Sequence, residues 1–241
     1  MTVLLALDSS TDALTLALSG PGAQPLHLFE GEGGAKASET LLPQAQALLA
    51  AAGMTLHEVD AVAFGRGPGA FTGLRTACAV AQGLAFGAGK PVLALDSLML
   101  VAEEARLQAQ ADGQVLPGVI WVAMDARMGE AYAAAYAWQG DCWQTAAEPA
   151  LYSPEALYAR WQREAPQALC GSALDEFPLL ASLALPSWPQ QRRRAEALAS
   201  LAAQAWAQGR TIDAADALPI YVRDKVALTT QERLEARAVV P

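Results

Sequence analysis

The order of secondary-structure patterns predicts an α/β protein in which helices cover mixed β-sheets. Three short apolar runs open the chain, at residues 3–7, 13–20 and 25–31, and turn residues separate them, as is typical of strands. From residue 38 onward, apolar residues recur at helical and at strand spacing in alternation. Three strands followed by alternating helices and strands indicate a meander that continues into a mixed sheet.

The first predicted helix covers residues 38–53. Ser38 can cap its start, Gly53 can end it, and Pro43 lies near its first turn, where a proline costs less than in the helix interior. The patterns that follow predict, in order, a strand, a helix, a strand and a helix at residues 59–64, 70–87, 91–95 and 98–110.

The second half of the chain repeats this plan. A strand that begins near residue 118 ends at Asp125, as the first strand ends at Asp8, and a turn and a second strand follow each of them. A helix with Ser153 as its cap and a short strand come next. The element order is that of the ribonuclease-H-like fold of actin and the sugar kinases. We therefore predict a duplicated fold with a cleft between its copies, and domains at residues 1–112 and 113–241.

The composition limits the classes of function. Among 241 residues, 53% are hydrophobic and 17% are charged, so a sizeable core is available. The net charge of −9 argues against extensive direct contact with nucleic acid. Three well-separated cysteines without a C-x-x-C motif, and a start without a basic leader, indicate reduced thiols in a cytoplasmic protein. No apolar stretch has membrane-spanning length.

A glycine-rich segment, GRGPGAFTGLR at residues 65–75, follows a predicted strand and opens a helix. It has no lysine after its glycines, so it is not a P-loop. It does match the dinucleotide pattern G-x-G-x-x-A, but Asp96 comes late for that pattern and Pro68 removes an amide from the turn. The favoured interpretation is that the glycines permit a sharp turn between strand and helix.

Polar residues follow the first strand of each half. They are Asp8, Ser9, Ser10 and Thr11 in the first half and Asp125 in the second. Actin-like ATPases approach phosphate at such positions, so one interpretation is a weak or vestigial nucleotide or metal site in the cleft. The other is that these side chains fix the turns by local hydrogen bonds. The second is favoured, because no second phosphate loop is recognisable.

The helix at residues 70–87 is apolar on nearly every side. One stripe contains Leu74, Cys78, Ala81 and Ala85, and a second contains small residues. Such a helix must be covered nearly all round, so we expect one stripe to meet the sheet and the other to meet a partner. The sequence is compatible with either stripe in either role. With one face of the first helix, the predicted partner interface comprises Leu41, Ala45, Leu48, Ala52, Gly73, Thr76, Val80 and Gly83.

Five segments, in order along the chain, resemble the TsaB family of bacterial tRNA threonylcarbamoyladenosine biosynthesis. They are VLLALDSSTDALTLAL, SETLLPQAQALL, GRGPGAFTGLRTACAVAQGLAFG with PVLALDSL, MDARMGEAYAAAY and LPIYVRDKVA. The block at residues 65–98 is the most specific of them. The resemblance implies the duplicated actin-like fold with a reduced second half, and the role of a partner subunit.

TsaB-like chains are similar to the enzyme TsaD, which transfers a threonylcarbamoyl group to the adenosine beside the anticodon of tRNA. The resemblance implies that this chain binds TsaD through its first two helices, that the ATPase TsaE joins them, and that the chain forms a homodimer when TsaD is absent. It implies no catalytic residue, metal or cofactor in this chain, because ATP is used by the complex. Contact with tRNA is expected to be indirect or weak.

The histidines agree with a subunit that lacks a metal site of its own. TsaD holds its metal with histidines, whereas this chain has only His27 and His57, without H-x-x-x-H spacing. TsaB-like sequences often carry a histidine where this chain has Ala37, which puts any role of that histidine in doubt.

Other residues leave their roles open. The basic run at residues 192–194 is expected to be a solvated loop rather than a tRNA contact. The family motif near the end contributes four residues that either pack or bind: Tyr221, Arg223, Asp224 and Lys225.

Two enzyme functions compete with the subunit hypothesis. An actin-like phosphotransferase or ATPase would act through Asp8 and Asp125. A peptide hydrolase would need a histidine beside its nucleophile, and neither histidine of this chain lies in a promising place.

Overall fold

The computed structural model describes residues 2–20, 25–189 and 193–223. The first part of the chain forms β1 (Leu4–Asp8), β2 (Ala13–Ser19), β3 (Pro25–Glu32), α1 (Ala37–Ala51), β4 (Ala61–Gly67), α2 (Phe71–Ala88), β5 (Val92–Asp96) and α3 (Ser97–Ala111). The later part forms β6 (Val119–Asp125), β7 (Ala131–Gln139), β8 (Cys142–Tyr152), α4 (Pro154–Glu164), β9 (Ala168–Cys170), α5 (Ala173–Glu176), α6 (Pro178–Ala181), β10 (Ser187–Trp188), α7 (Arg194–Ala207) and β11 (Thr211–Ile212). Short 3-10 helices cover Gly34–Lys36, Leu56–Glu58 and Ala214–Asp216.

One of the two predicted helix caps, Ser153 and Ser38, is present in the structure. Ser153 caps α4, since its Oγ accepts a hydrogen bond from the amide of Ala156 at 3.2 Å. The prediction that Ser38 caps α1 is wrong, because α1 already begins at Ala37 and follows directly on a 3-10 turn. No helix within the described ranges is both long and apolar enough to cross a membrane.

Two sheets with the same strand order form the centre of the molecule. The first has the order β11-β5-β4-β1-β2-β3 and the second the order β10-β9-β6-β7-β8. In each, the first strand of the half lies antiparallel to the second strand and parallel to the fourth. The second half is reduced, because two four-residue helices, α5 and α6, follow β9 where the 18-residue α2 follows β4. The predicted duplicated ribonuclease-H-like fold is confirmed.

Helices and sheets alternate in five layers. Helices α1 and α2 cover the outer face of the first sheet. Helices α3 and α7 lie between the two sheets, in the largest apolar cluster of the described residues. Helices α4, α5 and α6 cover the outer face of the second sheet. Every face of both sheets is therefore packed against helices, which accounts for the almost continuously buried strands.

The chain returns to its first sheet near its end. Helix α7 packs against β1, β2 and β3, and β11 extends the first sheet by pairing antiparallel with β5. Conversely, α3 packs against β6 and β7 of the second sheet. Elements from before and after residue 112 thus pack against both sheets. The division into domains at residues 1–112 and 113–241 therefore stays a prediction.

Candidate functional site

The glycine-rich segment packs directly against the end of β1. A Cβ atom at Gly65 would overlap the carboxylate of Asp8, and one at Gly73 would overlap the carbonyl oxygen of Ser9. The amide of Ala70 donates a hydrogen bond to the carbonyl oxygen of Ser10 at 2.7 Å. The glycines therefore allow two backbone segments of this chain to approach each other, in addition to allowing the turn from β4 into α2.

The carboxylate of Asp8 is fully buried and pairs with Arg194, the first residue of α7. Its Oδ2 lies 2.8 Å from Nη2 of Arg194 and also accepts a hydrogen bond from the hydroxyl of Ser10 at 3.0 Å. On the opposite side, Nη1 of Arg194 lies 2.8 Å from Oε1 of Glu104 on α3. We call Asp8, Arg194 and Glu104 the Arg194 triad. It joins β1, α3 and α7 in the interior between the sheets.

The Arg194 triad contains two carboxylates and one cation. Burial raises the pKa of the Glu104 carboxyl to about 7, although Arg194 acts in the opposite direction, and the charges of Asp8 and Glu30 raise it further. Glu30 itself accepts a hydrogen bond from the amide of Ala195 at 2.8 Å, which places its charge at the start of α7. The protonation state of Glu104 therefore depends on pH near neutrality.

The other predicted nucleotide-site residues bond locally. The hydroxyl of Ser9 donates to the carbonyl oxygen of Gly73 at 2.8 Å, and Oγ1 of Thr11 accepts from the amide of Ala13 at 3.2 Å. Asp125 accepts a hydrogen bond from the amide of Arg127 at 2.8 Å and lies 3.3 Å from the guanidinium of that residue. These contacts are those expected of side chains that fix turns.

A cleft of about 360 Å³ opens between the two halves. Ser10, Thr11 and Asp125 line it, whereas Asp8 and Ser9 do not. The cleft therefore holds three of the five residues predicted for a nucleotide site, and the carboxylate most typical of such a site is bonded to Arg194 instead. Within the described ranges, no group of three metal-binding side chains is present.

Residues 218–223, which we call the C-terminal segment, run through this cleft. The amide of Ile220 donates to the carbonyl oxygen of Arg66 at 2.7 Å. The Tyr221 ring lies 4.7 Å from that of Phe71, and its hydroxyl accepts a hydrogen bond from Nε of Arg75 at 3.0 Å. Tyr221 therefore attaches the segment to the first turns of α2.

The other end of the C-terminal segment attaches to the second half. The guanidinium of Arg223 lies 2.8 Å from Oε2 of Glu130 and donates to the carbonyl oxygen of Ala126 at 3.1 Å. Tyr221 and Arg223, whose roles the sequence left open, thus pack within the chain. Asp224 and Lys225 lie outside the described residues.

The predicted partner interface is only partly on the surface. Leu41, Ala45 and Leu48 of α1 are buried against the protein's own first sheet, so their assignment to a partner surface is corrected. Gly73 is also buried, against the backbone of Ser9. Helical spacing identified the residues that share a face, but that face meets the sheet.

The remaining predicted residues lie toward solvent. Ala52, Thr76 and Val80 are half-buried and Gly83 is exposed, while the other stripe of α2 meets the sheet. Helices α1 and α2 pack side by side. Their solvent-facing small and apolar residues form a surface that we call the α1–α2 face: Leu42, Ala47, Ala50, Ala51, Ala79, Val80, Gly83, Phe86 and Gly87. The Phe86 side chain is 80% exposed there.

Comparison with known proteins agrees with this architecture. A family model described as TsaD, tRNA N6-adenosine threonylcarbamoyltransferase, matches residues 33–232. The tRNA threonylcarbamoyladenosine biosynthesis protein TsaB of Escherichia coli K12 is 33% identical over 231 residues, which are 93% of this chain and 96% of that protein. The chain belongs to the TsaB family. TsaB of Haemophilus influenzae is 44% identical over 131 residues, or 54% of this chain and 51% of that one.

Solved structures extend the likeness to three dimensions. YeaZ from Pseudomonas aeruginosa superimposes with a TM-score of 0.75 at 36% identity, covering 92% of this TsaB-family chain and 100% of that one. Lmo2764 from Listeria monocytogenes, described as a candidate N-acetylmannosamine kinase, superimposes with a TM-score of 0.50 at 9% identity, over 86% of this chain and 100% of that one. The second likeness concerns the fold alone.

The residue that the sequence interpretation missed is Arg194. The basic run was expected to be solvated, and Arg193 does form a surface pair with Glu196, but Arg194 is only 4% exposed. Arg192 lies outside the described residues. A signal was present, because a cation in the first turn of an apolar helix opposes the helix dipole and needs a carboxylate nearby.

Neither histidine belongs to the cleft. His27 lies on β3, and His57 is exposed on the 3-10 helix at Leu56–Glu58. Both are absent from the residues that line the cleft. The structure therefore offers no support for a hydrolase built on a histidine in this site.

Proposed function

We propose that this chain is a non-catalytic subunit that binds a TsaD-type threonylcarbamoyltransferase and activates it for threonylcarbamoyl transfer to the adenosine beside the anticodon of tRNA. The observation that carries the proposal is the α1–α2 face. Two adjacent helices there present small and apolar side chains to solvent, around the exposed ring of Phe86. Exposed apolar surface of this kind marks a protein interaction site.

The composition of the α1–α2 face suits the packing of another pair of helices. Ala79, Gly83 and Gly87 lie on the solvent side of α2 and have little or no side chain. A partner helix can therefore approach the backbone of α2 closely, while Phe86 fills a pocket on the partner. A second copy of the chain would meet the same face when TsaD is absent, giving a homodimer.

The proposed role in threonylcarbamoyladenosine biosynthesis implies two further contacts, with an ATPase and with tRNA. The relative from E. coli is named for tRNA threonylcarbamoyladenosine biosynthesis, and a TsaE-type ATPase would join the complex and use the ATP. The net charge of −9 leaves tRNA contact mainly to the partner enzyme. Such a complex would act in the cytoplasm, where tRNA is modified.

The absence of catalysis by this chain is supported by the environment of Asp8. Its carboxylate is enclosed with Arg194 and does not line the cleft, so neither a metal ion nor a phosphate can reach it there without displacing the arginine. We expect the purified chain to hydrolyse neither ATP nor peptides. Turnover that disappears in Asp125→Ala would instead support an ATPase of the cleft.

Substitution on the α1–α2 face tests the proposal. We expect Phe86→Glu to leave the protein folded, because the side chain is exposed, and to abolish capture of the TsaD partner in a pull-down. Gln162→Glu on the exposed side of α4 adds the same charge elsewhere and should bind as the unaltered chain does. Cells depleted of the protein should lose threonylcarbamoyladenosine, measured by mass spectrometry of tRNA nucleosides. A normal nucleoside level would rule out the proposed function.

A further inference from the structure

A second cavity, of about 290 Å³, lies on the other side of the C-terminal segment. Its walls come from the carboxyl ends of β4 and β5, from β8 of the second sheet and from α7. Ile220 and Val222 line both this cavity and the cleft, so the C-terminal segment separates the two. We call this space the α7 cavity. Its position at the junction of both halves is typical of small-molecule sites.

Arg66 in the wall of the α7 cavity carries a charge without a bonded counter-ion. Its Nε is out of contact with solvent and has no hydrogen-bond partner in the described part of the chain, and its guanidinium pairs there with no carboxylate. A buried guanidinium nitrogen left without a partner is costly. An anionic group of a ligand in the cavity would compensate the charge of the guanidinium.

Asp96 is an acidic neighbour of Arg66 in the cavity wall, and its oxygens are already engaged. Its Oδ2 accepts the hydroxyl of Tyr136 at 2.7 Å, and its Oδ1 accepts the amides of Leu98 and Met99 at the start of α3. Burial raises the pKa of the Asp96 carboxyl and the charge of Arg66 lowers it, although the two side chains form no ion pair. Arg66 lines the cavity, so its positive charge acts on a ligand there.

Two acidic residues line the α7 cavity. Asp96 and Glu148 both line the cavity, and the hydroxyl of Tyr136 donates to Oδ2 of Asp96 at 2.7 Å. Burial, followed by the charges of Asp96 and Glu148, raises the pKa of Tyr136. Glu148 is exposed on β8 and forms no ion pair among the described residues. Arg210, between α7 and β11, is likewise exposed and unpaired within that part of the chain. The lining thus has two cations and two anions, with a net charge of zero.

Because the wall carries separated positive and negative charges and no net charge, it is complementary to a zwitterionic ligand. The carboxylate of such a ligand would meet Arg66 and Arg210, and its ammonium group would meet Glu148. The amide of Gln204 uses its nitrogen to bond Ser200 at 3.2 Å and leaves its oxygen as a further acceptor. Apolar side chains of Met99, Leu201 and Val222 complete the lining for the rest of the molecule.

We propose that the α7 cavity binds a free α-amino acid, with Arg66 as the anchor of its carboxylate and Glu148 as a partner of its ammonium group. The ligand would contact Ile220 and Val222, and would therefore hold the C-terminal segment in place at the back of the cleft. This site is separate from the α1–α2 face and does not depend on the proposed function.

The test uses the full chain and the proteinogenic L-amino acids, offered one at a time and followed by ligand-observed NMR and calorimetry. We expect binding by at least one of them, weakened about tenfold or more in Arg66→Met, which removes a charge-assisted bond. Glu148→Gln, an exposed position that does not threaten folding, should weaken binding in the same way. Arg163→Met and Glu155→Gln, at exposed positions of α4, are the matched controls and should bind normally.

Derivatives of the best ligand separate a zwitterion from a simple anion. The carboxamide, which lacks the carboxylate, and the N-acetyl derivative, which lacks the ammonium group, should both bind about tenfold or more weakly. Bound ligand should also slow hydrogen exchange at the amide of Ile220. No binding by any amino acid, unchanged binding by Arg66→Met, or full binding of the N-acetyl derivative would each overturn the proposal.

Discussion

The guanidinium of Arg194 lies 2.8 Å from the carboxylate of Asp8, although the two residues are 186 positions apart in the chain. The pair joins the first strand to the last long helix, in a place that water does not reach. A buried pair of this kind contributes little net stability compared with an apolar pair, but loss of one partner leaves an uncompensated charge. This asymmetry makes the Arg194 triad a sensitive point of the fold.

We expect Arg194→Met to lower the free energy of unfolding by about 3–5 kcal/mol, because Asp8 and Glu104 would remain buried without a cation. Arg193→Met removes a surface pair with Glu196 and should change that free energy by less than about 1 kcal/mol. Urea denaturation followed by circular dichroism measures both. Equal stability of the two variants would mean that the Arg194 triad does not hold α7.

Glu104 should make stability depend on pH. Its folded pKa of about 7 exceeds the ordinary value of 4.5, so the folded state binds the proton more tightly than the unfolded state does. The resulting stabilisation is fully present below about pH 4.5 and is lost as the pH rises to about 7 and beyond. Over that window the contribution changes by roughly 3 kcal/mol.

The variant Glu104→Gln isolates this contribution from those of other groups. It keeps a hydrogen-bonding side chain of the same size and cannot ionise, so the difference in unfolding free energy between Glu104→Gln and the unaltered chain should grow from low pH toward neutral pH. Denaturation curves recorded across the window measure this difference. If the difference is constant with pH, Glu104 does not titrate there.

Two neighbouring substitutions on α2 should have different effects. Cys78 faces the first sheet and its thiol donates a hydrogen bond to the carbonyl oxygen of Ala217 at 3.3 Å, so Cys78→Glu should prevent folding. Val80 is half-buried at the edge of the α1–α2 face, so Val80→Glu should leave a folded monomer that no longer binds its partner. Sedimentation and pull-down distinguish the two outcomes. Two folded variants that both still associate would exclude α2 from the interface.

Alanine substitutions at two glycines of α2 should change the stability of the protein in opposite directions. Gly73→Ala would place a methyl group on the carbonyl oxygen of Ser9 and should cost about 1–3 kcal/mol. Gly83→Ala meets no atom within 4 Å and should stabilise the helix by about 0.5–1 kcal/mol. Thermal denaturation compares them. A neutral Gly73→Ala would show that the end of β1 can move away from α2.

The fold could be predicted from the sequence because its signals are local. Strand and helix periods and the Asp8 and Asp125 strand ends all lie within short windows. The two stripes of α2 were also recognised, and the structure assigns the stripe with Leu74 and Cys78 to the sheet. Periodicity gives the residues that share a face, whereas the neighbour that covers the face depends on the whole fold.

The incorrect predictions concern which neighbour covers a residue, since this depends on the whole fold. Leu41 and Leu48 share a face of α1 as predicted, but the sheet rather than a partner covers them. In the sequence Arg194 is the last of three consecutive arginines, a pattern typical of a solvated loop. Its carboxylate partners, Asp8 and Glu104, are 186 and 90 positions away. No local pattern connects positions at such separations.

The path of α7 also has a consequence for synthesis of the protein. Residues 194–207 are made after every strand of the two sheets except β11, yet they cover the inner face of the first sheet. While the ribosome is still adding them, that apolar face lacks its native cover and depends on transient protection from aggregation. Nascent chains released before residue 194 would keep the face open permanently. Premature termination late in the message should therefore yield insoluble fragments rather than a folded first half.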